Sequence, residues 1–261
     1  MNTLPNWLID HCTRLKANDE DLVNLNLNIR RFNRIEMMEA LAEALKKNKT
    51  LEILNLTSSL VAPNSFIPLA TLVLSNHASL KIIHLSYNKL IDVSVLGEVI
   101  AANETLSEIY LNYNFINSKS AIAVAKGLTY NTTLEILDFN YNNMGDEGAV
   151  AFAMALGAKN NTLQILGLGH NAISQSGAVT LANAMACNTT IQRLDIQENI
   201  GMPRDVSNKI LYYAVANRAG RRILRHTNLT IAIWPQILGR NRMNPTMIFF
   251  FLTSRPDLFR S

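Results

Sequence analysis

One hydrophobic pattern recurs seven times along the chain. In the nine residues from Leu134 to Asn142, apolar residues occupy the first, fourth and sixth positions and asparagine occupies the ninth. The same nine-residue frame begins at residues 22, 51, 80, 106, 134, 163 and 191, although Arg30 and Ser59 replace the asparagine in the first two copies. Apolar residues at positions four and six, with exposed positions between them, predict a short β-strand that buries those side chains.

A helix is predicted after each frame. Behind the fifth copy, Ala149, Phe152, Ala153 and Leu156 recur at spacings of three and four residues, which places them on one helix face. A single strand, turn and helix cannot bury its apolar face alone, but stacked units share a continuous core. The pattern therefore predicts an α/β solenoid, in which the asparagine at position nine bonds backbone groups where the chain leaves each strand.

This frame resembles the leucine-rich repeat, and its long period with helical segments resembles the ribonuclease-inhibitor-like subclass. The resemblance covers residues 22 to about 200 and implies a curved parallel sheet on the inside with helices outside. Solenoid ends expose core and need caps. We therefore predict a helical N-terminal cap in residues 1–21, the solenoid in residues 22–203, and a basic helical C-terminal cap or extension in residues 204–261.

Asn-x-Thr triplets form a second repeated feature. Their asparagines precede five of the frames by three residues, namely Asn48, Asn103, Asn131, Asn160 and Asn188. In a secreted protein such triplets are glycosylation acceptors, but the N-terminus lacks the basic and uninterrupted apolar segments of a signal peptide. Because asparagine tolerates the left-handed conformation that ends many helices, these residues are interpreted as helix stops.

The candidate binding residues lie at the exposed frame positions three, five, seven and eight. Position eight carries a column of rings in four consecutive repeats, and neighbouring strands are about 4.8 Å apart, so these rings are expected to stack. Tyrosine is enriched among interface anchors, whereas stacked rings can also simply stabilise a sheet, and both interpretations stay open. The predicted protein-binding residues are Tyr87, Tyr110, Tyr113, Asp138, Tyr141, His170 and Asp195.

Charge is distributed unevenly along the chain, whose formal net charge is +4. Residues 204–261 carry ten Lys or Arg against two Asp, while residues 1–203 carry 14 basic and 18 acidic residues. Within the basic segment, one helix face is predicted to display Arg218, Arg221, Arg222 and Arg225. This patch suits either a solvated helix face or an acidic ligand such as RNA or an anionic lipid. The segment after it is similar to the tails of repeat proteins from diatoms and other unicellular algae.

No catalytic motif stands out. The chain contains no GxxxxGK[ST], HExxH, GxSxG or paired CxxC pattern, and it has only two cysteines. We therefore expect an intracellular, cytoplasmic protein that is not an enzyme, needs no cofactor or metal, and binds a protein partner through the inner face of the solenoid. The resemblance also reaches Ran GTPase-activating proteins, which makes regulation of a small GTPase an alternative. Those proteins carry an acidic tail, whereas this tail is basic.

Overall fold

Seven short parallel strands form one sheet in the order of the sequence. The computed structural model describes residues 3–218 except 33, 75, 76 and 159. Each strand covers frame positions three to five, and equivalent positions pair across repeats, as in Leu137 with Leu166. The strands β1 to β7 are Asn24–Asn26, Ile53–Asn55, Ile82–His84, Glu108–Tyr110, Ile136–Asp138, Ile165–Gly167 and Arg193–Asp195. The α/β solenoid predicted from the repeat is therefore confirmed.

One helical segment follows each strand, and a further helix precedes the first strand. The helices α1 to α8 are Asn6–Lys16, Ile35–Leu45, Pro63–Leu69, Val95–Ala102, Ser118–Leu128, Gly145–Ala158, Gln175–Cys187 and Arg204–Arg218, and α3 continues as a π-helical turn over Ala70–Leu74. Successive helical segments pack against each other along the stack. Helix α4 approaches α5 so closely that a Cβ atom on Gly97 would lie 2.4 Å from the Ala123 carbonyl oxygen.

The core lies between the sheet and the helices, where the frame predicts it. Leu137 and Phe139, at positions four and six of the fifth copy, are fully buried, and Ala149 and Phe152 of α6 are buried with them. Equivalent residues of the other copies join the same continuous cluster. Since each repeat contributes one strand and one helix face to this cluster, stacking rather than any single unit holds the fold together.

The asparagines at position nine form the predicted internal ladder. The side-chain amide of Asn114 donates hydrogen bonds to the carbonyls of Leu85 at 3.0 Å and Leu111 at 2.9 Å, while its oxygen accepts from the Leu90 amide at 3.2 Å. One side chain thereby joins two repeats and closes the turn after the strand. Asn88, Asn142, Asn171 and Asn199 make corresponding bonds.

The Asn-x-Thr asparagines form a second ladder at the other end of the strands. The Asn131 amide donates to the carbonyls of Ile100 at 2.8 Å and Asn103 at 3.0 Å, and its oxygen accepts from the Leu134 amide at 2.7 Å. Asn131 is only 5% exposed, so its nitrogen is occupied by the fold and is closed to a sugar. The interpretation of these residues as left-handed helix stops was wrong in its geometry. Asn103 and Asn188 do follow their helices, but in extended backbone, because their side chains bond the carbonyls of the preceding repeat.

His77 replaces asparagine in this second ladder. Its Nδ1 atom accepts from the backbone amides of Ser79 at 3.3 Å and Leu80 at 3.1 Å, the same bonds that an asparagine oxygen accepts in other repeats. Its Nε2 atom is buried and has no hydrogen-bond partner within the described part of the chain. Burial lowers the pKa of His77 below its ordinary value. This repeat therefore keeps half of the ladder bonding and gains a titratable group inside it.

The ends of the array have helical neighbours. Helix α1 packs on α2 and buries Leu8 and Leu15. Helix α8 packs on α7 and β7, and Asn217 donates to the carbonyl of Ile191 at 2.8 Å, which continues the second ladder. The predicted boundary between residues 203 and 204 therefore lies between β7 and α8, whereas in the other repeats a strand and the helix after it belong to one unit. The division itself stays a prediction, and residues 219–261 lie outside the described residues. Among the described helices, none is long and apolar enough to cross a membrane.

Candidate protein-binding surface

All seven residues at position eight have left-handed backbone. Their φ angles lie between 52° and 62°, although none of them is glycine. This conformation costs roughly 1–2 kcal/mol for an ordinary L-residue. The column consists of Ile29, Ser58, Tyr87, Tyr113, Tyr141, His170 and Glu198. The turn after each strand imposes this conformation in every repeat, whatever side chain stands there.

Four consecutive members of this column form a continuous stack, which we name the ring ladder: Tyr87, Tyr113, Tyr141 and His170. Successive ring centroids are 4.2, 3.9 and 3.9 Å apart, with interplanar angles of 10°, 12° and 15°. These distances are shorter than the strand spacing of about 4.8 Å, so the rings lie closer together than the strands that carry them. The sequence predicts this contiguous strip, and its role in binding stays a prediction.

The inner rings of the ring ladder, Tyr113 and Tyr141, present edges and hydroxyl groups rather than faces, because a ring covers each of their faces. Tyr87 is 51% exposed and Tyr141 38% exposed, so the edges are accessible. A hydrogen bond with Tyr141, then desolvation and a hydrogen bond with Tyr87, raise the pKa of Tyr113 above its ordinary value. The Tyr113 hydroxyl is thus uncharged at neutral pH and can donate or accept hydrogen bonds.

Tyr110 does not belong to the ring ladder. It lies at position five, where its ring stacks on His84 with centroids 4.6 Å apart, and its hydroxyl donates to Glu108 Oε2 at 2.7 Å. Desolvation together with this bond raises the pKa of Tyr110 to about 12. Burial lowers the pKa of His84, against the opposing effect of Glu108. The two-ring stack therefore forms a separate aromatic patch in the neighbouring column.

Asp138 and Asp195 also lie at position five, two repeats apart, with Gly167 between them. The Asp138 carboxylate accepts from the backbone amide of Asn140 at 3.1 Å and leans over Gly167, where an added Cβ would lie 2.7 Å from its Oδ1 atom. Burial raises the pKa of Asp138 above its ordinary value, and Asp195 contributes in the same direction. Asp195 is 3.7 Å from the Arg193 guanidinium.

Of the predicted basic patch, only Arg218 can be placed. It is exposed at the end of α8 and lines, with Asp195 and Leu211, a cavity of about 440 Å³ between β7 and α8. Arg221, Arg222 and Arg225 lie outside the described residues. Within residues 3–218, leaving aside the gaps, no group of three or more His, Cys, Asp or Glu side chains is arranged to hold a metal ion.

Sequence reasoning missed two features of this surface. His84 and Glu108 complete the environment of Tyr110. The sequence signal for His84 was its place opposite Tyr110 in the register, and that for Glu108 was its place two residues before Tyr110 on β4. The left-handed backbone at position eight carried no signal, because tyrosine and isoleucine are uncommon in that conformation.

A comparison with protein families agrees with the repeat. A family model described as "Leucine Rich repeat" matches residues 130–153 and 159–182. Among solved structures, the chain is similar to leiomodin-1 actin-binding site 2, with 16% identity, a TM-score of 0.41, and coverage of 85% of this chain and 97% of that one. It is also similar to the tropomodulin C-terminal domain of Caenorhabditis elegans, with 13% identity, a TM-score of 0.38, and coverage of 84% and 97%. No curated protein matches the chain.

Two finer predictions receive no support from these comparisons. None of them supports the similarity of the tail to algal repeat proteins, and none distinguishes the ribonuclease-inhibitor-like subclass from other subclasses. The leiomodin and tropomodulin similarities are too weak to indicate a partner for this chain. The seven-copy frame, the seven-stranded parallel sheet and the family match within the fifth and sixth copies nevertheless agree on a leucine-rich repeat fold for this chain.

Proposed function

We propose that this protein is a non-catalytic interaction module that binds a protein partner on the sheet face opposite its helices, with the ring ladder as the central contact. Its members Tyr87, Tyr113, Tyr141 and His170 supply most of the contact area, while Tyr110, Asp138 and Asp195 flank the ladder. The observation that carries this proposal is the placement of four large rings in consecutive left-handed positions.

The repeat itself does not require rings at these positions. Ser58 and Glu198 occupy the same left-handed position in the flanking repeats, with φ angles of 54° and 55°. Glycine or asparagine would adopt this backbone at lower cost. Costly residues in left-handed backbone concentrate at functional sites, where the surrounding structure holds them in place. The rings therefore serve a purpose local to the third to sixth repeats.

The physical properties of the ring ladder suit a binding surface. Tyrosine combines a large apolar area with a polar group and only two rotatable side-chain bonds, so little conformational entropy is lost on binding. Stacking between 3.9 and 4.2 Å fixes the rings before a partner arrives. A preorganised surface loses less free energy on binding than a mobile one. Stacking and binding are therefore compatible, because the first prepares the second.

The alternatives lack an equivalent observation. Binding of an acidic ligand through the arginine patch depends on residues of which only Arg218 is described, and regulation of a small GTPase was not assigned to particular residues. Both stay predictions. Stimulated GTP hydrolysis by a candidate GTPase would support the second, and salt-sensitive RNA or vesicle binding would support the first.

Affinity capture from a native extract tests the proposal. Three tagged proteins are compared: the wild type, the double variant Tyr113→Ala/Tyr141→Ala, and Tyr130→Ala as a matched control. Tyr130 is 62% exposed but lies just after α5, away from the ring ladder. We expect the double variant to lose partners that both the wild type and the control retain. Retention of every partner by a folded double variant would contradict the proposal.

A further inference from the structure

The face that carries the ring ladder is acidic within a basic chain. Its four exposed columns hold the carboxylates of Glu108, Asp138, Asp195 and Glu198, but only one cationic side chain, that of Arg193. With histidines neutral, the face therefore has a net charge of −3, whereas the whole chain has a net charge of +4. Complementary charge across an interface selects partners and speeds their association.

Three of these carboxylates, those of Glu108, Asp138 and Glu198, form no ion pair within the described part of the chain. The ion pair on this face joins Arg193 to Asp195 at 3.7 Å. Glu108 accepts from the Tyr110 hydroxyl, and Asp138 accepts from a backbone amide. An ionised carboxylate has about four acceptor sites, so both retain capacity for further donors. Their charge is left for a partner to neutralise.

Aromatic groups lie directly beside this charge. The Glu108 carboxylate is 2.7 Å from the Tyr110 hydroxyl, whose ring stacks on His84. At the start of the ring ladder, Tyr113 covers one face of Tyr87, and the preceding repeat supplies only the small side chain of Ser58. A guanidinium group binds carboxylates in a bidentate manner and stacks on aromatic rings. An ammonium group is a compact point charge and lacks this planar, bidentate geometry.

We infer that the partner segment bound by this face is basic and recognised through arginine side chains, which pair with Glu108 and Asp138 while they pack on the neighbouring rings. This inference rests on the proposed function and specifies the chemistry of the partner. Phosphate groups of nucleic acids or anionic lipids do not fit this face, because its carboxylates would repel them.

Fluorescence anisotropy with the full-length chain tests this inference. The probes are labelled peptides of equal length with alternating Arg and Ser, Lys and Ser, or Glu and Ser. The test variant is Glu108→Gln/Asp138→Asn, and the control is Glu98→Gln/Glu147→Gln, which removes the same charge from exposed residues of α4 and α6. Asp138→Asn preserves the fold, because Asn26 and Asn55 occupy the same position and accept the same backbone bond.

We expect the Arg peptide to bind more tightly than the Lys peptide, and the Glu peptide not to bind. Each exposed ion pair contributes a few-fold in affinity, so the test variant should bind the Arg peptide roughly tenfold more weakly, and the control variant should bind like the wild type. Added salt should weaken binding of the wild type more than that of the test variant.

Other results would overturn the inference. Equal affinity for the Arg and Lys peptides would remove the role of the guanidinium group, and equal weakening in both double variants would place binding elsewhere. The Arg peptide could also fail to bind while Asp138 forms cross-links to residues 204–261 or to a second copy of the chain. That result would assign the face to one of those occupants. If the Arg peptide fails but Tyr113→Ala/Tyr141→Ala still loses its captured partner, the proposed function stands and the arginine inference does not.

Discussion

Replacing Tyr113 by glycine and by alanine separates backbone strain from ring stacking. Tyr113 has a φ angle of 57° and stacks on both Tyr87 and Tyr141. Each stacked pair is worth about 0.5–1.5 kcal/mol. Either substitution therefore loses about 1–3 kcal/mol of stacking. Alanine keeps the steric cost of the left-handed backbone, whereas glycine removes most of it, which is worth about 1–2 kcal/mol.

The glycine variant should therefore be the more stable of the two, by about 1 kcal/mol. For a domain of this size that difference corresponds to about 3 °C in melting temperature. Urea unfolding and thermal melting followed by circular dichroism measure it. The matched control is the same pair of substitutions at Ile122, which is exposed in helix α5, where alanine should be the more stable by about 1 kcal/mol.

Equal stability of the two Tyr113 variants, or a more stable alanine variant, would refute the strain argument. The same pair also bears on function, since both variants lack the ring but differ in stability. If the ring binds the partner, capture falls equally in Tyr113→Gly and Tyr113→Ala. If the ring only supports the scaffold, capture should instead follow the measured stability.

Three further predictions concern the scaffold. Asn131→Ala should destabilise the protein by about 3 kcal/mol or more in urea unfolding, because buried backbone groups of two repeats lose their partners. As a control, replacing the exposed neighbour Thr132 by alanine should leave the free energy of unfolding within about 0.5 kcal/mol of wild type. Gly97→Ala should cost about 1–3 kcal/mol by forcing α4 from α5. Gly157→Ala should be neutral or stabilising, because the added Cβ would lie 3.8 Å from the Ala184 Cβ, in ordinary van der Waals contact, and the opposite order would contradict the packing argument. His77 has a lowered pKa, so the unfolded state takes up its proton first and stability should fall as pH drops below about 6.5. His77→Asn should reduce this pH dependence, to which the lowered pKa values of His11 and His84 also contribute, and should add about 1 kcal/mol. An unchanged profile would show that His77 does not contribute to it.

The hydrophobic frame could be predicted because burial fixes it. Positions four and six must face the helices in every copy, so Leu137 and its equivalents mark each strand in the sequence. The position-nine asparagines could be predicted for a related reason, since a buried turn must satisfy its backbone groups. The helix-ending asparagines were predicted in place but not in conformation. Asn131 acts through bonds to a neighbouring repeat, and no local propensity contains that information.

The candidate surface could be predicted only in part. The ring ladder follows from the repeat register, because equivalent positions of neighbouring strands must lie side by side. The placement of Tyr110 on His84 depends instead on side-chain directions within column five and on the bond to Glu108. The left-handed backbone of column eight could not be predicted from the sequence, because the turn imposes it against the preferences of residues such as Ile29 and Tyr141.

The candidate binding surface and the scaffold are adjacent in sequence and have different energetic roles. Tyr141 projects a ring from left-handed backbone, while the next residue, Asn142, fixes that turn by donating to the carbonyls of Leu111 and Phe139, each at 3.0 Å. The asparagine provides bonds that hold a costly conformation in place, as strained positions require. Substitution at position eight can therefore change the surface without disturbing the ladder beneath it, since Ser58 and Glu198 already occupy that position in the same backbone. A partner would thus be selected by the side chains of one column, on a frame that the neighbouring column keeps constant.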